Sequence, residues 1–200
     1  MIRPRRAFLQ TAAGLAGAML APAASVAANA TRRPTRWIPT VADIRARSPE
    51  LWYLTDLINH YRRAAGLHAI RLSPRLTAVA ALHTLDLADR GPQHATGSLH
   101  SWSPGPRWTG GAYRLHDEST WPVMWYKPRE IADYPGLGFE VSASGLANMR
   151  HALSAWRGSP PHNALILGQD VWRRMHWRSV GAVFYRGYAC AWFGEEVDLP

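Results

Sequence analysis

Apolar residues recur at helical spacing in two early stretches and run unbroken near the end, which predicts helices first and strands last. In the first stretch Leu51, Leu54, Leu57, Ile58 and Tyr61 share one helical face. Ser48-Pro49-Glu50 supplies a start signal, and Gly66 a stop. Ser73-Pro74 opens a second helix with the stripe Leu76, Val79, Ala80, His83, Leu87, ending at Arg90-Gly91. Residues 92–143 hold no long period and are crowded with Gly, Pro and Trp. They read as a long ordered loop region with at most short helical or strand pieces, of the kind that carries function in compact domains.

A third helix is expected from about Leu146 to Trp156, and a fourth directly after Gly158. The fourth has the sharpest start, because Ser159 can cap the free amides and Pro160 fits the first turn. His162 then sits in that first turn. The positive end of the helix dipole there favours a neutral imidazole, able to accept a proton or bind a metal. The chain finishes in two β-rich runs, Val180–Tyr185 and Tyr188–Phe193, joined by the two-residue turn Arg186-Gly187. Both runs are apolar on both faces, so helices should cover the sheet from both sides. The expectation is an α+β fold, a three-layer α-β-α sandwich around a central antiparallel sheet.

The leader adds an address. Met1-Ile2-Arg3-Pro4-Arg5-Arg6 and Phe8-Leu9 precede an Ala- and Gly-rich apolar run, which resembles a twin-arginine signal peptide over residues 1–30. Cleavage is expected after Ala30, leaving a linker or arm over 31–47 and one domain over 48–200. The run is too short for a stable membrane span. A periplasmic or secreted location follows. Removing Arg3, Arg5 and Arg6 lowers the formal charge from +9 to +6, and the remaining basic residues are scattered apart from Arg32-Arg33-Arg36 and Arg173-Arg174-Arg178. No recognition motif accompanies them, which argues against nucleic-acid binding. Cys190 is the single cysteine, so no intrachain disulfide exists, and its apolar strand marks it as a buried thiol rather than a nucleophile.

Several spaced motifs together carry a resemblance. Leu57-Ile58-Asn59-x-x-Arg62, Leu72-Ser73-x-x-Leu76 with Ala80 and His83, Leu99-His100-Ser101, Gly138-Phe139-Glu140, and Trp156-x-x-Ser159-Pro160-x-His162-Asn163-x-x-Ile166-Leu167 resemble the CAP superfamily, also called the SCP domain, in its bacterial, cysteine-poor branch. The likeness covers about Leu51 to Phe193. It implies an α-β-α sandwich with a central cleft of two histidines and one or two glutamates that can bind a divalent metal. Position by position, the cleft residues correspond to His100, Glu140 and His162. The family's second glutamate falls on Ser159, which leaves the set incomplete, and Asp117 or Glu118 are the nearby acids that could replace it.

Two imidazoles and a carboxylate form a donor set suited to Zn²⁺ or a similar ion. His100, His162 and Glu140 are therefore the candidate metal ligands, with Trp102, Ser159 and Asn163 as candidate ligand contacts. Three functions remain open. One is a non-catalytic cell-envelope or secreted binding module for a lipid, glycan or peptide; the second is a metal-assisted, peptidase-like hydrolase using the His100/Glu140/His162 cleft, with Glu140 and His162 as its catalytic residues; the third is a structural or interaction protein whose cleft is vestigial, in keeping with Ser159. No Gly-x-Ser-x-Gly elbow and no Gly-rich phosphate loop appear, so a nucleophilic hydrolase has no support. His83, on the stripe of the second helix, reads as a core or cleft-supporting histidine. Asn59 and Arg62 read as scaffold hydrogen bonders. Trp102, Trp108, Trp121 and Trp125 either pack the loops or stack on a ligand.

Overall fold

A computed structural model describes residues 49–198. The leader, the linker and the Ser48 cap lie outside the described residues. Helix α1 spans Pro49–Ala64, α2 Pro74–Asp89 and α3 Pro92–Thr96. After a 3-10 turn at Glu118–Thr120 come α4 (Pro122–Trp125) and α5 (Lys127–Ala132), then α6 (Met149–Gly158) and α7 (Pro160–Leu167). The strands are β1 (Arg71–Leu72), β2 (Phe139–Ala143), β3 (Ser179–Tyr185) and β4 (Tyr188–Gly194), ordered β1-β3-β4-β2.

The expected hairpin is present. Arg186 and Gly187 both adopt positive φ, as a two-residue turn between right-twisted strands requires, and Tyr185 pairs with Tyr188. The sheet also gains what the sequence pattern did not show. β2 adds an antiparallel edge to β4, and the two-residue β1 pairs parallel with β3. Asn59 explains β1, since its amide donates to the Ile70 carbonyl at 2.9 Å and its Oδ1 accepts from the Ile70 N–H at 2.8 Å. Arg62 ties the same helix to the carbonyls of His68 and Ile166. Both residues are scaffold hydrogen bonders.

Alternation along the strands separates two faces. Phe139, Val141, Val180, Ala182, Ala189, Ala191 and Phe193 enter one apolar core with Leu54 and Ile58 of α1, Ala152 and Trp156 of α6, and Leu165 and Ile166 of α7. Burying each of the larger aliphatic side chains contributes about 2 kcal/mol. Glu140, Ser142, Gly181, Cys190 and Trp192 turn to the other face, which α2 covers. Helices thus close both sides of the sheet, giving the three layers.

Helix ends explain how each layer is fixed. Ser73 caps α2 by accepting from the Leu76 N–H, and its hydroxyl donates to Asp198, which also accepts from the Arg75 N–H. A carboxylate at this end also complements the helix dipole. α6 begins at Met149, later than expected, because the Asn148 side chain accepts from the His151 N–H and sets the boundary. The expected Ser159 cap of α7 is not made. Pro160 and Pro161 leave two of the first-turn positions without an N–H, so a side-chain cap has little to satisfy.

Gly181 marks the closest approach of two layers. A Cβ built there would stand 2.1 Å from the Thr77 backbone nitrogen, so no side chain fits without moving α2 off the sheet. Gly181→Ala should cost about 3 kcal/mol. Thermal denaturation of the variant checks this, with an unchanged melting temperature as the contrary result.

Candidate functional site

Glu140 is the centre of the site, and strand register puts it there. It pairs with Trp192 and points from β2 toward α2, where no water is available to a carboxylate. Such a charge needs partners. His83, buried on the α2 stripe, places Nδ1 2.5 Å from Glu140 Oε1, while His100 places Nδ1 2.8 Å from Oε2. His83 Nε2 lies 3.1 Å from the Ser101 carbonyl oxygen. That carbonyl can only accept, so Nε2 carries hydrogen, and a proton lies between Nδ1 and Glu140. Both carboxylate oxygens are thereby engaged. Burial alone would push the Glu140 carboxyl up, but the two histidines hold it down at about 2.

The loop after α3 delivers His100. The Ser98 hydroxyl accepts from the His100 N–H, and a chain from Thr96 to the Ser101 hydroxyl, which accepts from the Tyr113 N–H, locks the following segment. The His100 side chain is 20% exposed, and its Nε2 has no hydrogen-bond partner among the described residues. Tyr113 meets the His100 ring edge-on at 5.0 Å. Burial first and Glu140 second raise its pKa, so its hydroxyl stays a neutral donor beside the site.

His162 approaches from α7, half-buried. Burial chiefly, with His100 next, lowers its pKa to about 4, against an opposing pull from Glu140. The imidazole is neutral near pH 7, as its helix position predicted, but the main cause is desolvation rather than the helix dipole. The next residue, Asn163, accepts from the Tyr61 hydroxyl at 2.8 Å, and the Tyr61 ring in turn lies 4.7 Å from the Arg157 guanidinium.

Aromatic packing holds the other wall. Trp102 stacks on His83 with centroids 4.0 Å apart, and Trp108 meets Trp102 edge-on. The buried ammonium of Lys127 lies 5.5 Å from the Trp102 ring, donates to the Thr109 carbonyl and pairs with Glu130 at 2.5 Å. Burial, the largest influence, lowers the Lys127 pKa. This lysine therefore braces the Trp102–Gly111 segment from below.

The structure gives several of the candidate residues other partners. Trp102, a candidate ligand contact, is only 2% exposed and serves as a lid on His83. Asn163 is a strut for α7, and Ser159 lies half-buried at the α6–α7 junction with its backbone carbonyl accepting from the Asn163 N–H. Glu140 orients two imidazoles instead of offering a vacant oxygen. Asp117 and Glu118 stand on an exposed turn, where Asp117 accepts from Ser119. The remaining loop tryptophans, Trp108, Trp121 and Trp125, pack on neighbouring rings. His83 is the main site residue whose weight the sequence understated, and its place on an apolar stripe was the available signal. Nothing in the aperiodic loop pointed to Tyr113.

Among the described residues, His83, Glu140 and Cys190 present ligand atoms within 4.8 Å of one another, a group compact enough to hold a metal ion. An ion there would have to displace protons. A proton already occupies the His83–Glu140 contact, and the buried Cys190 thiol is pushed well up by burial and by Glu140, away from the thiolate that a metal needs. His100 and His162 lie outside that group, more open to solvent.

The sequence model of the cysteine-rich secretory protein family, CAP, matches residues 55–180. Among solved structures, an extracellular protein containing an SCP domain from Bacillus anthracis aligns with a TM-score of 0.53 at 17% identity, over 78% of this chain and 44% of that one. An outer surface protein from Borrelia burgdorferi aligns at 0.49 and 16% identity, over 75% and 95%, and a cysteine-rich secretory protein from Staphylococcus aureus at 0.48 and 14%, over 74% and 38%. The chain thus spans less than half of the Bacillus and Staphylococcus proteins. No curated protein matches it.

The buried charges set the acid response. The unfolded chain protonates His162 near its ordinary 6.5 while the fold resists until about 4, so stability should fall as pH drops through that window. Glu140 contributes fully above 4.5 and loses its contribution between there and about 2. Urea denaturation at stepped pH should show both phases, with the upper one flattened in His162→Asn. Glu140→Gln at neutral pH should cost about 3 kcal/mol, because it strands the buried His83 imidazole and releases His100.

Proposed function

The chain belongs to the cysteine-rich secretory protein family, and from that premise we propose that it is an exported, non-catalytic binding module whose His100 and His162 hold a divalent cation. The observation that carries this reading is His100 itself. Its Nδ1 is committed to Glu140, while Nε2 has no hydrogen-bond partner among the described residues and the side chain is partly exposed to solvent. A carboxylate that accepts the far N–H of a ligating histidine is the usual way such a ring is oriented and made more basic. His162, kept neutral by burial, needs no proton loss to donate its lone pair.

The nitrogen donors suit Zn²⁺ or a similar first-row ion. When bound, the ion supplies positive charge and open coordination positions for a ligand oxygen. Glu140 fixes His100, Trp102 and Lys127 keep His83 in place behind it, and the Tyr113 hydroxyl stands ready as a neutral donor. The ligand class is an envelope lipid, glycan or peptide. The twin-arginine-like leader supports a periplasmic or secreted location, as do structural neighbours described as extracellular or outer-surface proteins.

Binding is favoured over hydrolysis by the proton inventory. A general base works best with a pKa near the working pH, and a carboxylate held at about 2 with both oxygens engaged accepts protons poorly. Titration calorimetry with Zn²⁺ tests the proposal. His100→Ala and His162→Ala should each weaken binding at least tenfold, and Cys190→Ser should leave it unchanged. Loss on Cys190→Ser with retention on His100→Ala would move the ion to the inner group.

A further inference from the structure

Two exposed arginines of α6 lie over two tyrosines of α1. The Arg150 guanidinium stands 5.6 Å from the centre of the Tyr53 ring, and the Arg157 guanidinium 4.7 Å from that of Tyr61. Arg150 precedes Arg157 as Tyr53 precedes Tyr61, so the two packed helices run side by side in one direction with an arginine over a ring at each end. Seven residues of α6 separate the arginines, which puts them on one face, two turns or roughly 10 Å apart. Neither they nor the exposed Arg63 of α1 form an ion pair. The arginine and lysine ion pairs among the described residues fall at Arg75, Arg90, Lys127 and Arg186.

Carboxylates are scarce around them. α1 carries Glu50 in its first turn and the exposed Asp56, while α6 and α7 carry no acid. Residues 57–85 and 141–169 hold none either. A ring beneath a guanidinium holds the group in place and leaves its N–H edge to solvent. Each arginine is thus a fork held ready for a pair of carboxylate oxygens, with less rotamer freedom to lose on binding. Two forks along a line match anionic groups repeated along an extended chain better than one phosphate. Among the described residues the exposed large apolar side chains, Leu85, Leu115, Tyr126, Leu137, Val171 and Tyr185, all lie off α1 and α6, so this face has nothing to insert into a bilayer. No nucleic-acid recognition motif accompanies the arginines. Exposed Ser154 and His60 lie between the two ends of the face and can hydrogen-bond sugar hydroxyls.

We propose that the face formed by α1 and α6 binds a linear acidic polysaccharide, with carboxylates of separate sugars on Arg150 and Arg157. Arg63 adds attraction from the last turn of α1, and Asp56 keeps the binding moderate and sensitive to salt. This binding needs no cation, unlike that assigned to the His100 and His162 cleft.

Titration of the full chain with polygalacturonate, and with dextran as a neutral chain, tests it. The parent should bind polygalacturonate, release it at high salt and ignore dextran. At a matched melting temperature, Arg150→Gln/Arg157→Gln should weaken binding roughly tenfold, since an exposed ion pair is worth up to about fivefold. Arg150→Lys/Arg157→Lys should weaken it about threefold, because the charge remains and the flat fork is lost. Arg173→Gln/Arg174→Gln removes the same charge from another exposed segment and should change binding by less than about twofold. EDTA should change nothing, which separates this face from the cleft. Every variant carries the same residues 1–48, so differences report the face. A parent that ignores polygalacturonate or binds dextran equally overturns the proposal, as do equal losses in the two Gln variants, full affinity in the Lys variant, or loss on EDTA. Stronger capture by phosphatidylglycerol vesicles that depends on Arg150 and Arg157 assigns the face to lipid and also overturns it.

Discussion

A buried carboxylate between two imidazoles is the constraint on which the rest of the structure depends. Glu140 has no water to solvate it, so its charge survives only because His83 and His100 each bring a nitrogen to one of its oxygens. Each partner comes from a different part of the chain. The arrangement therefore links α2, the loop after α3 and the edge strand β2 into one unit, and disturbing any of them exposes an uncompensated charge.

The surrounding packing follows from that demand. His83 must carry hydrogen on Nε2 to satisfy the Ser101 carbonyl, and Trp102 lies flat on its ring. Lys127 then supports Trp102 from below, with its ammonium tied to Thr109 and Glu130. What is left partly open to solvent is the His100 ring and the neutral ring of His162, with the buried Tyr113 phenol beside them. The inner residues hold a proton, a division that separates the supporting part of the site from the part that can meet a ligand.

The cleft relies on desolvation and directed hydrogen bonds, which are stiff and specific. The opposite layer, around Phe139, relies on apolar packing among rings. The two share strand β2, since Phe139 faces one layer and Glu140 the other. A two-residue alternation thus assigns one strand to both.

Helical periodicity marked α1 and α2, the Ser73 cap and the Pro160-Pro161 start fixed where α2 and α7 begin, and unbroken apolar runs marked the β3–β4 hairpin, because those signals are local and span only a few residues. The spaced motifs also singled out His100, Glu140 and His162. Only the tertiary structure decided what these residues do. Whether Glu140 ligates an ion or orients histidines depends on its register against Trp192 and on which face α2 covers. Whether Trp102 meets a ligand or shields His83 depends on a loop without any period. Partners eleven to more than a hundred residues apart, such as Asn59 with Ile70 and Tyr61 with Asn163, are selected by packing, and packing leaves no trace in a local pattern. The sequence supplied the chemical groups; the layers decided which atoms of each remained free.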